Sequence, residues 1–153
     1  MKWLLILLLF ILMGISIRGA EPAQSGSFLE VKSVSGALEI DKPSVLAIEI
    51  RNIAPVEEEA ALGLQKGEAM EIAAELRSLD DRIKVLSSPQ VAGSLLPGEN
   101  RSLEFTALAE GAQAGIYPLE IILSYSRLSQ VLTSGNAEMP NVLFEYENST
   151  QTM

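Results

Sequence analysis

A chain of 153 residues with 20 acidic and 11 basic side chains, and with neither cysteine nor histidine, has room for one domain plus a leader or tail. The missing thiols and imidazoles exclude a cysteine nucleophile, a Ser-His triad, zinc held by His or Cys, and any disulfide staple. The acidic balance speaks against a nucleic-acid partner, whose phosphates demand lysine and arginine.

The chain opens on Met1-Lys2-Trp3 and an apolar run from Leu4 to Met13 that extends to Ile17. A short basic start, about 14 apolar residues and then small residues form the layout of a secretory signal peptide. A comfortable membrane span needs about 20 residues. Residues 1–20 are therefore expected to be an apolar leader helix, serving as signal peptide or N-terminal anchor, and the chain is expected to be exported. Small residues at Gly14, Ser16, Gly19, Ala20 and Ala23 offer cleavage positions, and no cysteine follows for a lipid anchor. A cut after Ala20 removes Lys2 and Arg18, leaving 9 basic against 20 acidic residues and a net charge of −11.

Residues 21–27, rich in Pro, Gln, Ser and Gly, read as a linker. Phe28 to Val34 offers a first strand, Ala37 to Ile40 a short apolar piece, and Asp41-Lys42-Pro43-Ser44 a turn. In Ser44 to Ile53, Leu46, Ile48 and Ile50 alternate with polar residues, as a half-buried strand requires. Glu57 to Leu64 reads as loop or marginal strand. Ala69 to Leu76 is rich in helix formers, yet Met70, Ile72, Ala74 and Leu76 alternate with Ala69, Glu71, Ala73 and Glu75, which favours a strand. Arg82 to Leu86 and Gln90 to Leu95 are short strands. Leu96-Pro97-Gly98-Glu99 has the proline and glycine of a type II turn. Arg101 to Ala107 resumes the alternation through Leu103 and Phe105.

Ala109 to Gly115 is a small-residue loop that feeds the strongest strand. There Tyr117, Leu119, Ile121, Leu123 and Tyr125 occupy one face, against Pro118, Glu120, Ile122, Ser124 and Ser126 on the other. Such a strand belongs in the middle of a sheet. Leu128 to Ser134 follows as a separate strand and Gly135 to Pro140 as a turn. Val142, Phe144 and Tyr146 mark a last strand, and residues 148–153 a polar, frayed tail. Short strands bounded by Gly, Pro, Asn or Ser predict an all-β fold: an antiparallel immunoglobulin-like sandwich of about seven strands over residues 28–147. Tyr117 stands where the hydroxyl of a tyrosine corner bonds back to nearby backbone, although a plain core role suits it equally.

Asn52 at a strand end, Leu95-Leu96-Pro97-Gly98-Glu99, a strand carrying Phe105, and Ala114-Gly115-Ile116-Tyr117 leading into Leu119 to Tyr125 together resemble the immunoglobulin-like sandwich of archaeal S-layer-like envelope proteins. The same pattern is similar to the CARDB type of adhesion-related module. The likeness runs from Ser44 to Tyr125 and rests on turn and corner signals. It departs from the pattern before Ser44, where no glycine follows the proline. The resemblance implies surface-attached modules, often in tandem, that act as scaffolds or adhesive spacers.

Candidate chemistry is sparse. Asn100-Arg101-Ser102 and Asn148-Ser149-Thr150 are glycosylation sequons if the chain is exported, and both fall in an expected turn or tail. Asp80 and Asp81 are weak candidates for Ca²⁺, since their spacing matches no calcium loop; solvated acidic surface is the simpler reading, also for Glu57-Glu58-Glu59. No dinucleotide, P-loop or G-x-S-x-G pattern is present. No cofactor is expected. The reading is a noncatalytic cell-envelope module for structural assembly or adhesion, whose partners are other envelope proteins or copies of itself. Contact with a membrane would come only through an uncleaved leader. A ligand- or glycan-binding module is the alternative, weakened by a single Trp in the leader and by Phe and Tyr at expected core positions. An enzyme comes third.

Overall fold

In the computed structural model, residues 27–59, 64–136 and 139–153 are described. The expected leader helix, its cleavage positions and nearly all of the linker lie outside them. The described residues form ten strands and no helix. The strands are β1 (Leu29–Ser35), β2 (Pro43–Asn52), β3 (Glu57–Glu59), β4 (Leu64–Lys66), β5 (Ala69–Ser78), β6 (Ile83–Val85), β7 (Gln90–Leu95), β8 (Asn100–Ala109), β9 (Leu119–Asn136) and β10 (Met139–Thr152). One four-stranded antiparallel sheet has the order β1-β2-β8-β6, a second has the order β10-β9-β5-β7, and β3 pairs β4 as a small hairpin. Ten strands stand where about seven were expected.

The two large sheets share one core, as a sandwich-like fold requires. Leu46, Ile48 and Ile50 of β2 and Leu103 and Phe105 of β8 meet Ile72, Ala74 and Leu76 of β5 and Ile121, Leu123 and Tyr125 of β9. Phe105, Ile50, Ile72 and Leu123 are wholly buried. The alternation of β2, β8 and β9 thus points inward where the sequence places it. Tyr117 and Leu119, expected in the core, are half-buried at its rim. Tyr117 packs beside a smaller cluster of Ile83, Ala107, Ala109 and Ala112. Its hydroxyl donates to the Gln113 carbonyl at 2.5 Å.

β5 is a strand despite its helix-forming composition, because it is paired on both sides, with β9 and with β7. Its alternation slips at the start: Ala69 is buried and Met70 is only half so. The cause is an extra residue. Ala69 to Ile72 of β5 runs opposite Leu95 to Gly93 of β7, and Glu71 takes a positive φ of 53°. The type II turn forms as expected, with Gly98 at φ 84° and the Glu99 N–H donating to the Leu96 carbonyl at 3.0 Å. Ala37 to Ile40 makes only an isolated bridge, Ile40 to Ala109.

The largest departure lies at the C-terminal end. Leu128 to Ser134 continues β9 without a break, since no Gly or Pro interrupts the chain between Leu119 and Ser134. Residues 148–153 are not a frayed tail: through Thr152 they belong to β10, and Met153 exchanges backbone hydrogen bonds with Ile121 at 2.8 and 2.9 Å. Pairing with β5 ends at Ser126. Beyond Ser126 of β9, among the described residues, no third strand joins the β9–β10 ladder, which continues as a two-stranded arm.

Candidate functional site

The acidic candidates resolve into ordinary surface chemistry. Asp80 sits in the turn before β6 and receives the Arg82 guanidinium on both oxygens, at 2.9 and 2.7 Å, and the Arg82 backbone N–H at 3.0 Å. These donors hold its carboxyl down to about 2 from its ordinary 3.8. Arg82 also lies 4.9 Å above the Tyr117 ring. Asp81 is exposed. Among the described residues no three carboxylates gather where a metal ion would sit. Elsewhere Lys32 and Ser33 keep Glu49 low, and Arg77 keeps Glu75 low. Lys84 of β6 pairs with Glu110, the residue after β8. Among the described residues, the carboxyls with clear shifts, Glu49, Glu75 and Asp80, move downward, as acids paired with cations do.

Both sequons are exposed. Asn100 opens β8 directly after the Pro97-Gly98 turn, and Asn148 lies on β10, where its amide oxygen accepts from Ser126 Oγ at 2.8 Å. Asn148 is therefore on a strand rather than in a tail.

The sequence reading missed a buried tie and the arm. Asn52, wholly buried, donates from Nδ2 to the carbonyls of Gly67 at 2.7 Å and Leu95 at 2.8 Å, and accepts from the Ala54 N–H at 2.9 Å. One amide thus joins the end of β2 to the residue pair that leads into β5 and to the end of β7. At the root of the arm a cleft of about 330 Å³ opens between Phe28, Pro55, Gly67, Arg127, Leu128 and Glu147. Its charges are matched: Arg127 reaches Glu147 at 3.0 Å and lies 4.8 Å over the Phe28 ring.

The arm exposes several large apolar side chains. Leu132, Leu143, Phe144 and Tyr146 are exposed by 44, 58, 38 and 56%. Alternation from the buried Leu123 and Tyr125 assigns the two faces. Gln151, opposite Leu123, turns inward and bonds the Leu29 backbone of the other sheet at 3.1 and 3.3 Å. The even-numbered residues of β10 then lie on the outer face, where Tyr146 stands opposite Leu128 and Phe144 opposite Val131. Phe and Tyr are thus not confined to the core. Glu145, Glu147 and Arg127 share the inner face, so the outer stripe of the arm is free of charge.

No protein-family model matches the chain, and no curated protein matches it.

Proposed function

We propose that the chain is an exported, noncatalytic module of the cell envelope, acting in structural assembly or adhesion in the manner of archaeal S-layer-like, CARDB-type modules. The observation that carries this reading is the arm: a two-stranded ribbon with exposed aromatic and aliphatic side chains, extending past the last residue that β5 pairs. Two strands alone are marginal in water and gain from a third surface. Exposed strand edges supply such contact by adding a strand from another chain.

An immunoglobulin-like topology is the fold reading that goes with this function. The order β1-β2-β8-β6 matches the A-B-E-D sheet of such domains, and β10-β9-β5 matches G-F-C. One departure is that β6, in the D position, precedes β7, the added edge beside β5.

The test is the fate of the leader. Expressed in a host with an export pathway, the chain should appear in the envelope fraction or the medium, with an N-terminus between about Ile17 and Ser25 if cleaved. An N-terminus at Met1 in the envelope would favour the anchor. A soluble cytosolic chain beginning at Met1 overturns export.

Phe144 and Tyr146, two residues apart on one face, favour a second reading as a small aromatic platform for a glycan. Titration with surface polysaccharide, followed by tyrosine fluorescence, separates it from the first.

A further inference from the structure

We infer that the free edge of β10 pairs with the same edge of a second copy, antiparallel about a two-fold axis at Phe144, joining two four-stranded sheets into one of eight. The inference rests on the assembly reading above and names its surface and its partner.

The edge is lightly protected. Natural edge strands are kept short or are guarded by charged side chains, Pro or bulges, and β10 carries only the two acids Glu145 and Glu147 along its arm. β10 is 14 residues long, contains no Lys or Arg, and has one proline, Pro140, at its outer end. The bulge in the hairpin leaves out Ser129 of β9, so the outer strand stays regular. Ile121 and Met153 exchange both backbone bonds, so odd-numbered residues of β10 face β9. Val142, Phe144, Tyr146 and Asn148 therefore present N–H and C=O groups to the free edge.

Charge selects the register. Pairing centred on Glu145 sets that carboxylate against itself, and pairing centred on Tyr146 sets Glu145 against Glu147. Centring on Phe144 places Glu145 against Leu143 and Glu147 against Asn141 of the second copy. It also puts Phe144 on Phe144 and Val142 on Tyr146, the aromatic and β-branched pairs that stabilise antiparallel ladders. Centring on Leu143 avoids the acids as well, but it sets Tyr146 against Pro140, which has no N–H to give. In the Phe144 register the missing donor falls at the last pair, Pro140 with Asn148. Two arms alone are marginal ribbons; paired, they make a four-stranded sheet with a continuous apolar outer stripe.

The experiment is sedimentation velocity on the purified full chain, in detergent micelles if the leader is retained. The wild type should show a concentration-dependent monomer–dimer equilibrium. Phe144→Lys and Phe144→Glu, which each set like charges across the axis, should weaken it about tenfold or more. An equimolar mixture of those two variants should restore dimers. A wild type that stays monomeric up to about 1 mM overturns the inference, as does a dimer that neither variant weakens, or a mixture no tighter than its components. If either variant loses the β-sheet circular dichroism of the wild type, oxidation of Phe144→Cys decides in this cysteine-free chain. A disulfide dimer that Leu143→Cys does not give supports the register, and equal yields reject it. An exported monomer sinks this inference alone, and a cytosolic dimer joined through Phe144 sinks the export reading alone.

Discussion

Asn52 spends all three of its strong hydrogen-bonding contacts on backbone groups that water cannot reach. Replacing it by leucine keeps the volume but strands two carbonyls and one N–H, each costing about 1–3 kcal/mol when buried unpaired. Asn52→Leu should therefore lower stability by at least about 2 kcal/mol in urea unfolding; a change under about 0.5 kcal/mol would mean that other donors replace the amide. Asp80 makes a different prediction. Its folded carboxyl lies near 2, below its ordinary 3.8, so its stabilising contribution is complete above the higher value and drains away as pH falls toward the lower. Thermal unfolding followed between those two pH values should show the wild type losing ground relative to Asp80→Asn. The pair is on the surface, so added salt should shrink the difference. Parallel curves would show that the Arg82 contact is absent in solution.

At the scale of the element, β9 gives the sharpest contrast. Ile121 is buried and Glu120 is half-exposed on the opposite face. Ile121→Ala should cost about 2–5 kcal/mol through lost burial and a cavity. Glu120→Ala should stay within about 0.5 kcal/mol. Equal losses in a denaturant series would reverse the face assignment. The strand was legible because period-2 alternation is local, and one residue's place sets its neighbours'. β5 was legible for the same reason, against its composition. Its bulge was not, because the extra residue at Met70 and Glu71 exists only relative to the registers of β7 and β9. The continuity of β9 past Arg127 was within reach of the sequence, since nothing between Leu119 and Ser134 breaks a strand. Its separation from β5 was not, because that depends on where the partner strand stops.

At the scale of the whole molecule, the sandwich and the arm should differ in cooperativity. Amides of Leu119–Tyr125 sit between two strands over the common core, whereas those of the arm bond only across a hairpin. Native-state hydrogen exchange should open the arm by local fluctuation at least about a hundredfold faster than the core part of β9. If two copies pair through β10, the protection of Phe144 and Tyr146 should rise with protein concentration while that of Leu123 stays unchanged. Uniform protection along β9 would mean that the arm unfolds only with the rest.

The sequence by itself determined the all-β character of the described chain, the inward faces of β2, β8 and β9, and the turn at Pro97-Gly98, because alternation and turn chemistry act over a few residues. It also carried the grounds for expecting export, in an apolar N-terminal run that lies outside the described residues. Tertiary structure decided what lies between distant segments: the Asn52 amide joining the ends of β2 and β7 to Gly67, the half-buried rim at Tyr117, and the arm with its free edge. A free edge is defined by the neighbour that is missing, and one strand's sequence holds no record of where another strand ends.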